Sequence, residues 1–230
     1  LVTGLSGPQG LALDLGAGKM YWTAYWAGKI QRANLDGSQV EDLVTSGLDG
    51  PGALALDLGA GKMYWTDVGT GRIRRANLDG NQVEDLVITG IVGTPGLALD
   101  LGAGKMYWTT WTGEIRRANL DGSQMEDLAS TGEGGPSSLA LDLGAGKMYW
   151  TARVEGKIGR ANLDGSGVED LVTTAMLGPT SLALDPAEGK MYWGDGWEGK
   201  IRRANLDGTQ MEDLVTGVSG IPGLALDLGN

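Results

Sequence analysis

The sequence contains no cysteine and no histidine. Without Cys there can be no disulfides and no thiolate metal sites, and the redox compartment leaves no trace in the chain. Without His, the commonest general base and the commonest metal ligand are gone. No apolar run approaches the roughly 18 residues that a membrane-spanning helix needs, so no membrane insertion is expected. No secretory leader is expected either, and a start at Leu1 in place of Met reads as a processed or trimmed chain.

Cationic clusters are also missing. The formal net charge is −11, and each Arg-Arg pair lies close to an acidic pair, so nucleic acid is not an expected partner. What the sequence has in excess is glycine, 41 of 230 residues, at fixed points rather than in tracts. That implies many tight turns in an ordered chain. With 41% apolar residues and no compositional break, residues 1–230 are expected to form a single domain.

The placement of those glycines follows an internal repeat. Leu-Ala-Leu-Asp ends at Asp14, Asp57, Asp100, Asp142, Asp185 and Asp227, with spacings of 43, 43, 42, 43 and 42 residues. The chain therefore holds five copies of one unit and part of a sixth. In the first copy four short β segments are expected: Leu11 to Leu15, Lys19 to Thr23, Lys29 to Asn34, and Val40 to Thr45. Polar and apolar residues alternate in Lys19-Met20-Tyr21-Trp22-Thr23, as a half-buried strand requires. Asp36-Gly37 tolerates the positive φ of a tight hairpin turn. Four strands this short cannot bury both faces of their own sheet, so each sheet must stack on its neighbours. Radial repetition around an axis is the propeller solution. The predicted fold is all-β, a β-propeller of four-stranded antiparallel blades. A linear β-solenoid is the alternative, although its coils usually carry a shorter repeat without Asp-Gly hairpins.

The repeated residues also carry a resemblance. Tyr21-Trp22-Thr23, Tyr64-Trp65-Thr66-Asp67, Tyr107-Trp108-Thr109, Tyr149-Trp150-Thr151 and Tyr192-Trp193-Gly194-Asp195 are each followed by a Lys/Arg/Glu-Ile strand and Arg-Ala-Asn-Leu-Asp-Gly. This closely resembles the YWTD repeats of low-density-lipoprotein-receptor-type propellers, over essentially the whole chain. The resemblance implies a six-bladed propeller, usually extracellular, that binds or releases protein ligands and is not an enzyme. Two departures stand out. Only five YWTD-like units are present, and the motif aspartate survives only at Asp67 and Asp195, with Ala24, Thr110 and Ala152 in its place. Any structural hydrogen bonds of that aspartate should be missing in three blades.

The termini pose the question of ring closure. Leu1-Val2-Thr3-Gly4 matches the end of an outer strand, and Leu224 to Leu228 matches an inner one. In a five-bladed ring, which we favour, the extra inner strand must displace Leu11 to Leu15 or lie outside. In a six-bladed ring the last blade lacks its two middle strands, and another chain could fill the gap. Self-association through unpaired terminal strands follows as a possible partner mode.

Comparing the copies with one another points to one functional face. Leu-Gly-Ala-Gly-Lys after strand one and Asn-Leu-Asp-Gly after strand three barely change. The loops after strands two and four vary strongly, and in a meander the two sets emerge on opposite faces. The varied loops carry Tyr25, Trp26, Val68, Trp111, Arg153, Trp197 and Glu198, our candidate ligand-binding residues. Trp, Tyr and Arg are the types enriched at binding hot spots. A loop Trp can also simply cap the blade beneath it, and the two readings balance. The five Trp of the repeated strand are expected in the core.

Other chemistry finds less support. The ring of Asp14, Asp57, Asp100, Asp142, Asp185 and Asp227 could gather a cation, but such residues more often accept turn amides. Arg32 to Leu43 superficially suggests a calcium loop, yet Arg holds the first ligand position and Leu43 the last. No metal or cofactor is expected. Catalysis lacks a nucleophile elbow, and fivefold repetition makes the carboxylate environments equal. The expected function is a non-enzymatic module for a protein or peptide ligand. A glycan-binding propeller is the first alternative, and a structural or designed consensus repeat without ligand the second.

Overall fold

The computed structural model describes residues 2–88, 96–132, 134–173, 178–218, 220, 221 and 223–228. Every copy of the repeat folds into the same four strands. In blade one these are β1 (Pro8–Asp14), β2 (Lys19–Ala24), β3 (Lys29–Asn34) and β4 (Glu41–Val44), each antiparallel to the next. Five such sheets follow along the chain, and the protein is an all-β, five-bladed β-propeller with no helix among the described residues. Strand one begins at Pro8 rather than at Leu11, because a register shift between Pro8 and Leu11 carries the chain into the sheet early.

Period-two alternation explains how the blades stack. On strand two of blade one, Tyr21 faces blade two, where it packs with Ile30 and Val44 against Leu54, Met63, Trp65 and Ala76. The same arrangement recurs at the boundaries of blades two and three, three and four, and four and five. Trp65, Trp108, Trp150 and Trp193 are all buried in these layers, as expected for the repeated strand. The motif threonine also points forward: Thr23 Oγ1 donates to the Gly52 carbonyl at 2.6 Å, and Thr109 Oγ1 donates to that of Pro136 at 2.8 Å. Arg32, Arg75, Arg117 and Arg160 each donate from Nη1 to a carbonyl of the following blade, at Leu78, Leu120, Leu163 and Leu206.

The motif aspartate points the other way. Asp67 accepts the Asp49 amide at 2.9 Å and pairs with Arg74 at 2.9 Å, and Arg74 in turn donates to the Gly47 carbonyl in the linker from blade one. Asp195 and Arg202 repeat the pair at 3.0 Å. In blades one and four Ala24 and Ala152 replace the aspartate, and the arginine is replaced in step, by Gln31 and Gly159. Losing both members avoids leaving a guanidinium buried without its counter-ion.

At the closing seam the last inner segment does not displace β1, which stays paired with β2, and Leu224 to Leu228 join no sheet. Ile221 contacts blade five and Gly223 contacts blade one. Thr180 Oγ1 donates to the Ile221 carbonyl at 2.6 Å, the counterpart of the Ser137 bond to the Pro179 carbonyl at 3.2 Å. Gly223 approaches the Gln9 carbonyl and Leu11 of blade one, as Gly10 approaches Gly52 and Leu54 of blade two.

Candidate ligand-binding face

Backbone bonds fix the two ends of the ring. Leu35 N donates to the Gly18 carbonyl at 3.0 Å, joining the loop after strand three to the loop after strand one, and the bond recurs from Leu78 to Gly61 and from Leu120 to Gly104. At the other end Tyr25 N donates to the Gly7 carbonyl at 2.8 Å and Val68 N to the Gly50 carbonyl at 3.1 Å. The monotonous loops therefore form one face and the varied loops the other, as the comparison of copies predicted.

On the monotonous face the aspartates do structural work. Asp14, Asp57 and Asp100 each accept the amide three residues on at 2.9 Å, which closes the turn after strand one. Asp142 and Asp185 do the same at 3.0 and 3.1 Å. Among the described residues no group of three or more acidic side chains is placed to hold a metal. In the hairpin turn Asp36 accepts the Ser38 amide at 2.8 Å while Gly37 takes φ 85°. This is the left-handed conformation that only glycine adopts at little cost.

The varied face holds the candidate side chains. Trp26, Trp197 and Trp111 are 77%, 66% and 54% exposed, a very different state from the strand tryptophans. Tyr25 and Trp26 stand edge to face with ring centroids 4.7 Å apart. Trp26 leans on Gly7 and Tyr25 on Gly50, where a methyl group would collide with either ring. Trp197 lies over Gly178, and the Arg153 guanidinium from the neighbouring blade sits 5.7 Å from its ring centroid. This cation–π contact ties two blades at the rim.

The rim surrounds a central channel with a cavity of about 530 Å³. Arg153 and Trp197 line its mouth, whereas Tyr25, Trp26, Val68 and Trp111 lie outside its lining. Val68 is half-buried against Gly52, and Trp111 stands by Gly135. Glu198 is engaged in ion pairs with Lys200 at 3.0 Å and with Arg202. The Lys200 ammonium, with Arg202 beside it, holds the Glu198 carboxyl below its ordinary range.

Sequence comparison overlooked the channel wall. Gln9, Gly10, Ala53, Ser137, Ser138, Thr180 and Ser181 line it at the starts of the inner strands. The signal was present, since the residues just before each Leu-Ala-Leu-Asp differ between copies while the tetrapeptide does not. Ser181 Oγ is buried there with no hydrogen-bond partner.

Five four-stranded blades with this motif define the class: a five-bladed β-propeller whose repeats are similar to the YWTD repeats of the low-density lipoprotein receptor. The model of the low-density lipoprotein receptor repeat class B matches residues 61–101 and 146–186, each span running from strand two of one blade through strand one of the next. Among solved structures the chain is similar to that described as "Crystal structure of Nidogen/Laminin Complex", with 26% identity, a TM-score of 0.84, and 93% of this chain and 81% of that one covered. A virginiamycin B lyase from Staphylococcus aureus is 20% identical with a TM-score of 0.73, covering 93% of this chain and 71% of that one. An auxiliary nutrient binding protein from Bacteroides thetaiotaomicron is 14% identical with a TM-score of 0.75, covering 91% and 57%. These last two likenesses show the fold alone. No curated protein sequence matches the chain.

Proposed function

We propose that the chain is a non-enzymatic, extracellular module that binds a protein or peptide through its varied face. The observation that carries this reading is the gathering of three exposed tryptophans and the Arg153–Trp197 pair at one end of the ring. The opposite end carries hairpin turns whose polar groups bond one another. Large aromatic surface with a polar handle is what binding hot spots use. The likeness to a propeller solved as a nidogen/laminin complex supports a protein ligand. An enzymatic reading draws on the lyase fold, but a histidine-to-alanine variant of that lyase is described as catalytically inactive, and this chain has no histidine.

A displayed random-peptide library panned against the protein, with a glycan array in parallel, tests the proposal. Enriched peptides should lose at least tenfold in affinity with Trp26→Ala and with Trp197→Ala. They should stay within about twofold with Asp36→Ala and Asp121→Ala, because truncating one anchor typically costs about 2 kcal/mol. The reverse pattern would move the site to the other face. Binding to glycans alone would favour a lectin, with the tryptophans as stacking platforms.

A further inference from the structure

Four blade boundaries are sealed alike, and the fifth is not. Val44, Val87 and Val172 on strand four of blades one, two and four are 5%, 4% and 4% exposed, while Val215 in the same position of blade five is 45% exposed. Tyr192 and Ile201 on that face are half-buried, although their counterparts Tyr64 and Ile73 are fully buried. Arg203 bonds Glu212 within its own sheet, as the other four arginines bond their own strand-four glutamates, but among the described residues it reaches no carbonyl of a following blade. Blade five thus presents an apolar wall with nothing of blade thickness against it among the described residues.

Next to that wall, Ile221 and Gly223 occupy places of an inner strand, beside Thr180 and Gln9 respectively. Leu224, Ala225 and Leu226 enter no strand. In all five blades the same Leu-Ala-Leu residues pair with Trp-Tyr-Met of strand two, as Leu11 with Trp22, Ala12 with Tyr21 and Leu13 with Met20. The repeat itself therefore specifies what fits both the edge and the wall.

We propose that this seam is a docking slot for a β-hairpin supplied in trans, one that alternates Met and Trp with Tyr and Thr on its first strand and carries Ile and Arg on its second. Its Met and Trp pack on Tyr192, Ile201 and Val215, as Met63 and Trp65 pack on Tyr21, Ile30 and Val44. Its first strand extends the edge at 224–226 by main-chain bonds, the strand-addition mode of peptide recognition. Charge favours the pairing: the hairpin of Lys62 to Asn77 holds four basic residues against one acidic, and the chain carries −11. The slot uses none of the exposed tryptophans, so its failure and that of the variable-face reading are distinguishable.

The test is a labelled synthetic peptide with the sequence of residues 61–80, titrated into the intact protein by anisotropy, with amide exchange read at each residue. Saturable binding is expected, with slowed exchange at Leu224 to Leu226 and at Ile201 and Val215. A scrambled peptide should not bind. A peptide carrying the equivalents of Met63→Ser and Trp65→Ser should bind at least tenfold more weakly, without any change to the folded protein. Val215→Asp in the protein should also weaken binding about tenfold while leaving the melting temperature unchanged, since that side chain is exposed. Equal binding of the scrambled or serine peptides overturns the proposal, as does protection confined to other blades. A concentration-dependent dimer that protects the same amides without peptide overturns the choice of occupant and gives the slot to a second copy of the chain.

Discussion

Arg74 Nη1 lies 2.9 Å from the Asp67 carboxylate, whose side chain is fully buried, and this pair is absent as a unit where blade one has Ala24 and Gln31. Asp67→Ala alone leaves a nearly buried guanidinium with only the more exposed Asp85 carboxylate, 2.7 Å from Nε, as counter-ion and should cost about 3 kcal/mol. Asp67→Ala with Arg74→Gln reproduces the arrangement of blade one and should recover well over half of that loss. Urea midpoints of the two single variants and the double variant measure the coupling. Additive losses would show that the pair is not the unit that folding recognises.

A second expectation concerns the buried indoles. Trp22 Nε1 donates to Gln31 Oε1 at 3.1 Å, and Gln31 Nε2 donates to Asp42 at 2.6 Å. Trp108 Nε1 is buried without a partner. Gln in place of Arg116, which sits opposite Trp108 as Gln31 sits opposite Trp22, supplies that acceptor. The ion pair lost, to an Asp127 side chain that is 69% exposed, contributes little. Arg116→Gln should therefore stabilise by about 1 kcal/mol, visible as a higher urea midpoint at unchanged slope. A lower midpoint would reject the idea.

Glycines at the blade boundaries can be separated from those that serve only a turn. Gly80 and Gly18 both have positive φ, 85° and 65°. A methyl group at Gly80 collides with the Leu43 carbonyl of the preceding blade, whereas at Gly18 it meets open space. Gly18→Ala should cost about 1–2 kcal/mol, the left-handed penalty alone. Gly80→Ala should cost at least about 1 kcal/mol more, and equal thermal shifts would show that the boundary yields.

Acid should unfold the protein through its carboxylates. Hydrogen bonds from Arg32 and Arg75 lower the pKa of Glu41 and Glu84, and the hairpin-turn bonds to Ser38 and Ser123 lower those of Asp36 and Asp121. A carboxyl lowered by folding contributes stability above its unfolded pKa and loses it as pH falls through the folded value. Asp67 has the opposite sign, because burial raises its pKa, so its own contribution grows on acidification. The lowered groups outnumber it. The melting temperature should hold from pH 7 to about 5 and fall below about pH 4. A melting temperature that rises below pH 4 would mean that the buried carboxylates dominate.

The fold was legible because the signals repeat. A period near 43 residues, alternation in Lys-Met-Tyr-Trp and a Gly at each turn agree in every copy, so local preference and global packing coincide. Strand four needed correction at both ends, since it spans Glu41–Val44 and not Val40 to Thr45. The division of the faces was legible for the same reason, as fixed and varied loops alternate along the chain. What the residues could not give was the spatial grouping of the varied side chains. Arg153 and Trp197 lie 44 positions apart and meet only because adjacent blades bring equivalent loops together. The place of Ile221 was equally hidden, since only the geometry of the seam shows a segment entering the ring without forming a sheet.

The four arginine bonds that step from blade to blade have a consequence for how the molecule comes apart. Each blade is fastened to the one after it, and Arg203 has no such hold on a sixth blade. Energetically the circle is a row with a beginning and an end, in which neighbours share stability and the last member has one neighbour fewer. Trp22 and Ala33, on the backward face of blade one, are well covered, while Leu214 and Val215 are open to solvent. Unzipping should therefore run from blade five towards blade one, and native-state amide exchange should grade along the chain in that direction.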